Sequence, residues 1–469
     1  MAARLVVATL ATVLAVLANE AATVASAPVP TSARMQAGVA GAVARTASTA
    51  RGVRYTPTEG ARFNVPRGRP GNMFRLEQQV LGAVRHAYRG SLIRFSIFSF
   101  DRLPVATALA RAKQRGVSVQ VLVNDHEVTR AQLYLRKKLG TDRTRKSWIY
   151  QCKNGCRSPG ESLHDKFYLF SHTGAARSVV MIGSINMKLN GHKNQYNDLW
   201  TINDDKDLFG AVHALFERLK RDRVDRPLYW VQDIGPIQIH ATPLPGADRE
   251  DDPIMKVLRK VACRGAGGNT GTNGRTLIRV VMHAWVGDRG VYLARRLRDL
   301  YGDGCDVRLL YGMAGAGVRR ELARPTSRGR VPIRSTGYDT NDDGELDLYA
   351  HQKNLFISGH YDGDRSARTV VTGSSNWTPG GLRGDELIAV IEGSIGDLPA
   401  YRADFGWLWT KRSHSVRWSP TAGSDYVPPP TGGGLTRAEL AWLAPRTEPR
   451  LPGTGTGSGR RGGPGRRSG

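Results

Sequence analysis

One duplication governs this chain. His164-Asp165-Lys166 and His351-Gln352-Lys353 are each followed by a short apolar run, then by Gly183-Ser184-Ile185-Asn186 and Gly373-Ser374-Ser375-Asn376 respectively. The histidine-lysine motifs are offset by 187 residues and the serine-asparagine motifs by 190. Spacing this constant requires two copies of one fold. Two such copies, packed about a pseudo-twofold axis, bring the two histidines face to face.

The repeat extends beyond the motifs. The apolar runs Leu92–Phe100 and Leu277–Trp285 open with the same Leu-Ile-Arg and lie 185 residues apart. Each precedes an amphipathic stretch, Pro104–Gln114 or Gly290–Leu300, and then a second apolar run, Val117–Val123 or Asp306–Tyr311. Strand, helix and strand with short connections form a βαβ unit. Further strands are predicted at Lys166–Phe170 with Val179–Ile182, and at Asn354–Ile357 with Thr369–Thr372. The fold class is therefore α/β: two tandem lobes in one pseudo-twofold bilobal body, mixed sheets flanked by helices, both motifs at the seam. The first lobe is expected over 61–235 and the second over 236–427.

Taken together, these motifs resemble the phospholipase D superfamily, whose signature HxKxxxxD followed by GSxN occurs twice. The resemblance spans roughly Phe63 to Trp418. One departure is shared by both copies: Ser171 and Ser358 stand where the signature has its aspartate. That position lies five residues past the lysine, at the far end of a strand, so a supporting role is expected there.

The resemblance implies cleavage of a phosphodiester through a phosphohistidine. Imidazole is a usable nucleophile near neutral pH, and a charged phosphodiester needs its oxygens neutralised. His164 is then the nucleophile and His351 the acid/base, although the near-symmetry of the halves leaves their order open. Lys166 and Lys353, with Ser184, Asn186, Ser374 and Asn376, would hold the phosphate. In the family an acidic residue downstream orients each histidine, which points to Asp198 for His164 and Glu386 for His351, with Asp385 the runner-up in the second half. A lone HxK would be a solvated strand end and a lone GSxN an ordinary turn; their joint repetition turns both into a phosphate site. His86, His126, His213, His283 and His360 receive no role. No cofactor is expected, because no carboxylate-rich cluster accompanies the motifs. The run Asp339-Thr340-Asn341-Asp342-Asp343-Gly344 resembles the start of a calcium loop, but Ala350 stands at its twelfth position, so a solvated acidic turn is expected.

The ends and the charge suggest a setting. Residues 1–27 carry Arg4, an apolar stretch from Leu5 to Leu17 and Ala25-Ser26-Ala27, the pattern of a secretory signal peptide. Residues 28–60 form an expected disordered leader and 428–469 a disordered basic tail, with a short helix near Thr436–Leu443. A secreted, extracellular protein is compatible with four cysteines, which allow three connectivities. Pairing within each half, Cys152 with Cys156 and Cys263 with Cys305, is preferred over a zinc site. Net charge is +27, and Arg136, Lys137, Lys138, Arg143, Arg145 and Lys146 cluster ahead of the first motif. An anionic partner follows: a phospholipid or other phosphodiester substrate at a membrane surface, or nucleic acid. Trp407, Trp409 and Trp418 are candidate interfacial anchors, with core packing as their alternative. A phospholipase D-type lipid hydrolase or transferase working as a monomer is the favoured reading. A nuclease and a non-catalytic binder of anionic membrane or polymer are the alternatives.

Overall fold

The computed structural model describes residues 55–158, 161–343 and 345–416. The expected signal peptide, all but the last residues of the leader, the tail, its short helix and Trp418 lie outside the described residues. Among the described residues, the strands follow in chain order: β1 (Gly60–Phe63), β2 (Leu92–Ile97), β3 (Ser118–Asn124), β4 (Trp148–Cys152), β5 (Lys166–Thr173), β6 (Ala176–Gly183), β7 (Gln195–Tyr196), β8 (Asp198–Ile202), β9 (Trp230–Ile234), β10 (Ile237–Ala241), β11 (Leu277–Trp285), β12 (Asp306–Ala314), β13 (Ile333–Ser335), β14 (Tyr349–Ala350), β15 (Lys353–Tyr361), β16 (Asp364–Gly373), β17 (Leu387–Ile391) and β18 (His414–Ser415).

The first sheet has the order β1-β8-β6-β5-β2-β3-β4, and the second β18-β13-β12-β11-β15-β16-β17-β10-β9. Their pairings repeat. β2 runs parallel to β3 and antiparallel to β5, and β11 runs parallel to β12 and antiparallel to β15. The following hairpins, β5 with β6 and β15 with β16, are both antiparallel. Both sheets are therefore mixed, and the two lobes share one topology. β9 pairs with β10 in the second sheet, upstream of the lobe boundary expected at 235.

Period-two alternation sets the layers. In β5, Phe167 and Leu169 point into a core shared by both lobes, while Tyr168 and Phe170 point into the outer core of the first lobe. In β15, Phe356 enters the shared core and Leu355 and Ile357 the outer core of the second lobe. Helices cover the faces because their apolar residues recur at three- and four-residue spacing. In the helix Lys206–Leu219, capped by Asp205 accepting from Leu208 N, the buried residues are Leu208, Val212, Leu215, Phe216 and Leu219. The helix Leu103–Gln114 begins with Pro104 in its first turn and is followed by Gly116 at φ +89°, a start and stop set by the two residues' backbone preferences. Trp407 and Trp409 pack against the shared core, and Trp409 stacks on Phe405 at 5.7 Å. Core packing thus accounts for the buried part of both.

Cys152 is bonded to Cys156 and Cys263 to Cys305. In the chain-entropy account, a cross-link stabilises by restricting the unfolded chain, more so for longer loops. The bond spanning 42 residues should contribute up to about 4 kcal/mol, and the bond spanning 4 residues less. Denaturant titration is expected to show Cys263→Ala/Cys305→Ala losing more stability than Cys152→Ala/Cys156→Ala; the reverse order would contradict this account.

Candidate active site

Two short backbone bridges between the lobes build the site. β14, which ends one residue before His351, pairs in parallel with β7, which ends one residue before Asn197. Leu163, one residue before His164, bridges in parallel to Asp385, one residue before Glu386. His351 N donates to Tyr196 O at 2.8 Å, and His164 N donates to Asp385 O at 2.9 Å. Each bridge carries a histidine from one lobe up to the orienting residue of the other.

Consequently, His164 Nδ1 lies 2.8 Å from Glu386 Oε1 and His351 Nδ1 lies 2.8 Å from Asn197 Oδ1. The Asn197 amide nitrogen donates to Gly191 O and Gln195 O, which turns its oxygen toward His351 and makes Nδ1 of that ring the donor. This corrects the sequence-based pairing of Asp198 with His164 and Glu386 with His351. Ser184 N donates to Asp198 O, and Ser374 N to Leu387 O. Asp198 therefore corresponds to Leu387, and Asn197 to Glu386. A register slip of one residue had matched the two carboxylates, and such a slip moves a side chain to the opposite face of a strand.

Asp198 accepts instead from Ser184 Oγ at 2.6 Å, Thr372 Oγ1 at 2.5 Å and Tyr401 Oη at 3.1 Å. It ties the first lobe to two elements of the second. Asp385 takes the Arg157 N–H at 3.0 Å, away from His351.

The lysines turn back on their own motifs. Lys166 Nζ donates to His164 O, and Lys353 Nζ to His351 O at 2.5 Å. The asparagines hold the ends of the neighbouring strands: Asn186 Oδ1 accepts from Ser99 N at 3.2 Å and Asn376 Oδ1 from Ala284 N at 3.3 Å. Each is thereby oriented to offer its amide nitrogen. The serines differ from expectation. Ser184 Oγ accepts from Asp198 N, and Ser374 Oγ from Leu387 N, both at 3.0 Å, and both residues are fully buried. Their hydroxyls brace the adjoining strand, in place of the phosphate contacts expected of them. The motif glycines are explained by the same approach. A Cβ on Gly183 would sit 2.3 Å from Asp198 O, and one on Gly373 2.1 Å from Leu387 O.

Residues 86–220 match the family model described as "Cardiolipin synthase, PLD-like domain", the stretch that contains the first complete half-site. Over those residues the chain is similar to a phospholipase D-like domain. Among solved structures, the phosphatidylserine synthase of Haemophilus influenzae Rd KW20 aligns over 78% of this chain and 89% of its own, with 13% identity and a TM-score of 0.50, a likeness of fold. Polyphosphate kinase from Porphyromonas gingivalis aligns over 82% of this chain at 13% identity and TM-score 0.48; this chain spans only 54% of that protein. Nuc, a phospholipase D family member from Salmonella typhimurium, covers 34% of this chain and 91% of its own, at 20% identity and TM-score 0.26. No curated protein sequence matches the chain. Phospholipase D superfamily members act on phosphodiesters, by hydrolysis or by phosphoryl-group transfer.

The two serines in place of the signature aspartate sit far from the motif lysines. Ser171 Oγ accepts from Leu92 N at 2.8 Å and Ser358 Oγ from Gly271 N at 3.2 Å. Five residues of strand place them about 16 Å from the motif lysines. Of the histidines given no role, two belong here. His283 lies 4.5 Å, ring to ring, from His351, and His126 stacks at 4.0 Å on Phe98, whose ring meets His164 at 4.9 Å. The 185-residue offset between the opening strands already placed His283 opposite Phe98. The acidic turn satisfies its own backbone: Asp339 accepts from Asn341 N, Asp343 from Glu345 N and Asp347 from Thr340 N.

Burial governs the charges. It holds His164 well below its ordinary pKa, with Lys166 and Lys353 adding to the effect. His351 is lowered in the same way by burial, then by Lys353 and His283. Both rings therefore favour the neutral form until an anion binds. Burial also pushes Glu386 up to about 8 and Lys166 down to about 8. An anion lodged between the lysines would raise both histidines and Lys166, favouring the imidazolium of His351, and would raise Glu386 further. The Lys166 ammonium holds an anionic substrate only while protonated, so kcat/KM should fall as pH rises through about 8. A kcat/KM profile for an activated phosphodiester that stays flat across that range would remove Lys166 from phosphate binding.

Proposed function

We propose that this protein is a secreted phosphodiesterase that cleaves, or transfers, the head group of a glycerophospholipid through a phosphohistidine on His164. The observation that carries the reading is the pair of crossed contacts, Glu386 on His164 and Asn197 on His351. Both rings have Nδ1 engaged, which leaves Nε2 of each as the reactive atom. His164 Nε2 attacks phosphorus, the P–N bond forms, and the bond to the leaving oxygen breaks as His351, held as the imidazolium once the anionic substrate is bound, delivers its Nε2 proton to that oxygen. His351 then takes a proton from water or an acceptor alcohol, whose oxygen displaces Nε2 and releases the product. Lys166, Lys353, Asn186 and Asn376 supply the cations and donors that meet charge on the non-bridging oxygens.

The unlike partners favour this division of roles. A histidine bonded to phosphorus carries positive charge, which favours the ionised form of Glu386 beside it, and that carboxylate stabilises the ring. A proton donor gains from a partner that orients the ring without retaining the proton, and the Asn197 amide oxygen does that. Glu386→Gln should lower kcat by roughly 10²–10⁴-fold, whereas Asn197→Asp should change it much less and move the pH profile. Equal losses in steady-state assays of the two variants would overturn the assignment of nucleophile and acid.

The lipid substrate is supported by the family-model description, by the signal-peptide pattern and by the net charge of +27, which suits an anionic interface. The deciding experiment compares phosphatidylcholine and phosphatidylglycerol vesicles, an activated phosphodiester and single-stranded DNA, each with wild type, His164→Ala and His351→Ala. Both variants should lose turnover on the lipid, and alkali-quenched His351→Ala should retain the phosphatidyl group on His164. Undiminished activity in both variants would refute covalent catalysis, and turnover of DNA alone would replace the lipid with nucleic acid. Chelation by EDTA is expected to leave the rate unchanged; a strict metal requirement would contradict the mechanism.

A further inference from the structure

The two half-sites differ at a second position. Ile97 pairs with Lys166 across β2 and β5, and Met282 pairs with Lys353 across β11 and β15. The next residues, Phe98 and His283, therefore occupy equivalent places beside the two motif histidines. Phe98 meets His164 at 4.9 Å and 66°, with Lys166 Nζ 5.4 Å from its ring centre. His283 meets His351 at 4.5 Å and 56°, and stacks on Tyr349 at 5.1 Å. Its Nδ1 lies 3.3 Å from Ala350 O, and the residue is 3% exposed. One half-site thus presents an apolar ring and the other an imidazole.

We infer that His283 is a specificity residue of the His351 half-site, selecting leaving groups that carry a hydroxyl or a carboxylate over those that end in a quaternary ammonium. The inference rests on the reading of His351 as the acid. The leaving oxygen must come within hydrogen-bond reach of His351, so the departing alcohol lies against the neighbouring imidazole. A polyol or carboxylate can hydrogen-bond a polar ring. A trimethylammonium group cannot, and it desolvates the imidazole without compensation. It also adds a cation to a site already holding Lys166 and Lys353, a repulsive element of specificity. Phenylalanine at the same place would instead offer an aromatic face that attracts the cation.

The test uses the full chain and vesicles containing equal amounts of phosphatidylglycerol and phosphatidylcholine, with released glycerol and choline measured together. The readout is their ratio. Wild type should favour glycerol. His283→Phe should shift the ratio toward choline by about tenfold or more, and His283→Gln, which keeps a polar group, should stay close to wild type. A wild-type preference for choline, or the same ratio in wild type and His283→Phe, overturns the inference. Should the wild type cleave no lipid, the lipid reading fails and selectivity is read separately. Glycerophosphoglycerol and glycerophosphocholine then compete against an activated phosphodiester. Stronger inhibition of wild type by the former, reversed in His283→Phe, sustains the role of His283, and equal inhibition by both in wild type removes it. If His283→Phe fails to fold, a choline preference in wild type, or a His283→Leu ratio equal to that of wild type, still overturns the inference.

Discussion

The crossing of partners between lobes is the constraint on which the site depends. Each motif histidine is held at its backbone and at Nδ1 by the opposite lobe, through the bridges of β14 with β7 and of Leu163 with Asp385. Neither half contains a complete histidine environment. The lysine and asparagine of each half are positioned locally, by the strand ends that also carry the glycine motif. Orientation is an interface property, whereas charge neutralisation is a property of each lobe. Asp198 strengthens the same seam with Thr372 and Tyr401.

Symmetry of backbone coexists with asymmetry of chemistry. The strand pairings of the two sheets repeat, and Gly183 and Gly373 are crowded by equivalent carbonyls. Yet Glu386 has Asn197 as its counterpart, and Phe98 has His283. Both differences concern the immediate surroundings of the reactive rings. A shared fold sets the two half-sites face to face, and the unlike neighbours give them different surroundings.

Much of this was legible in the sequence because repetition is a signal that survives without three-dimensional information. The two lobes, the motif histidines and lysines, the opening strands and their helices all follow from the offsets. The errors have physical causes. A one-residue difference in the connection before β8 and β17 matched Asp198 to Glu386, although the ladder matches Asn197 to Glu386. No single-lobe pattern could reveal that the partner comes from the other lobe. Ser184 and Ser374 are phosphate donors by residue type, but the strand geometry directs them to a neighbouring backbone. His283 is given no role by the motifs because its counterpart at the 185-residue offset, Phe98, cannot repeat it as a histidine.

The shared core carries a further consequence. Phe167 and Leu169 from the first sheet and Phe356 from the second lie in one apolar cluster, together with Phe405 and Leu408 of the helix Asp397–Lys411. Each lobe alone would expose the inner face of its sheet to water. A half-length ancestor with this architecture would have met its own copy along that face, with two equivalent half-sites. Joining the copies in one chain freed each side to change independently, which a symmetric dimer of identical chains cannot do.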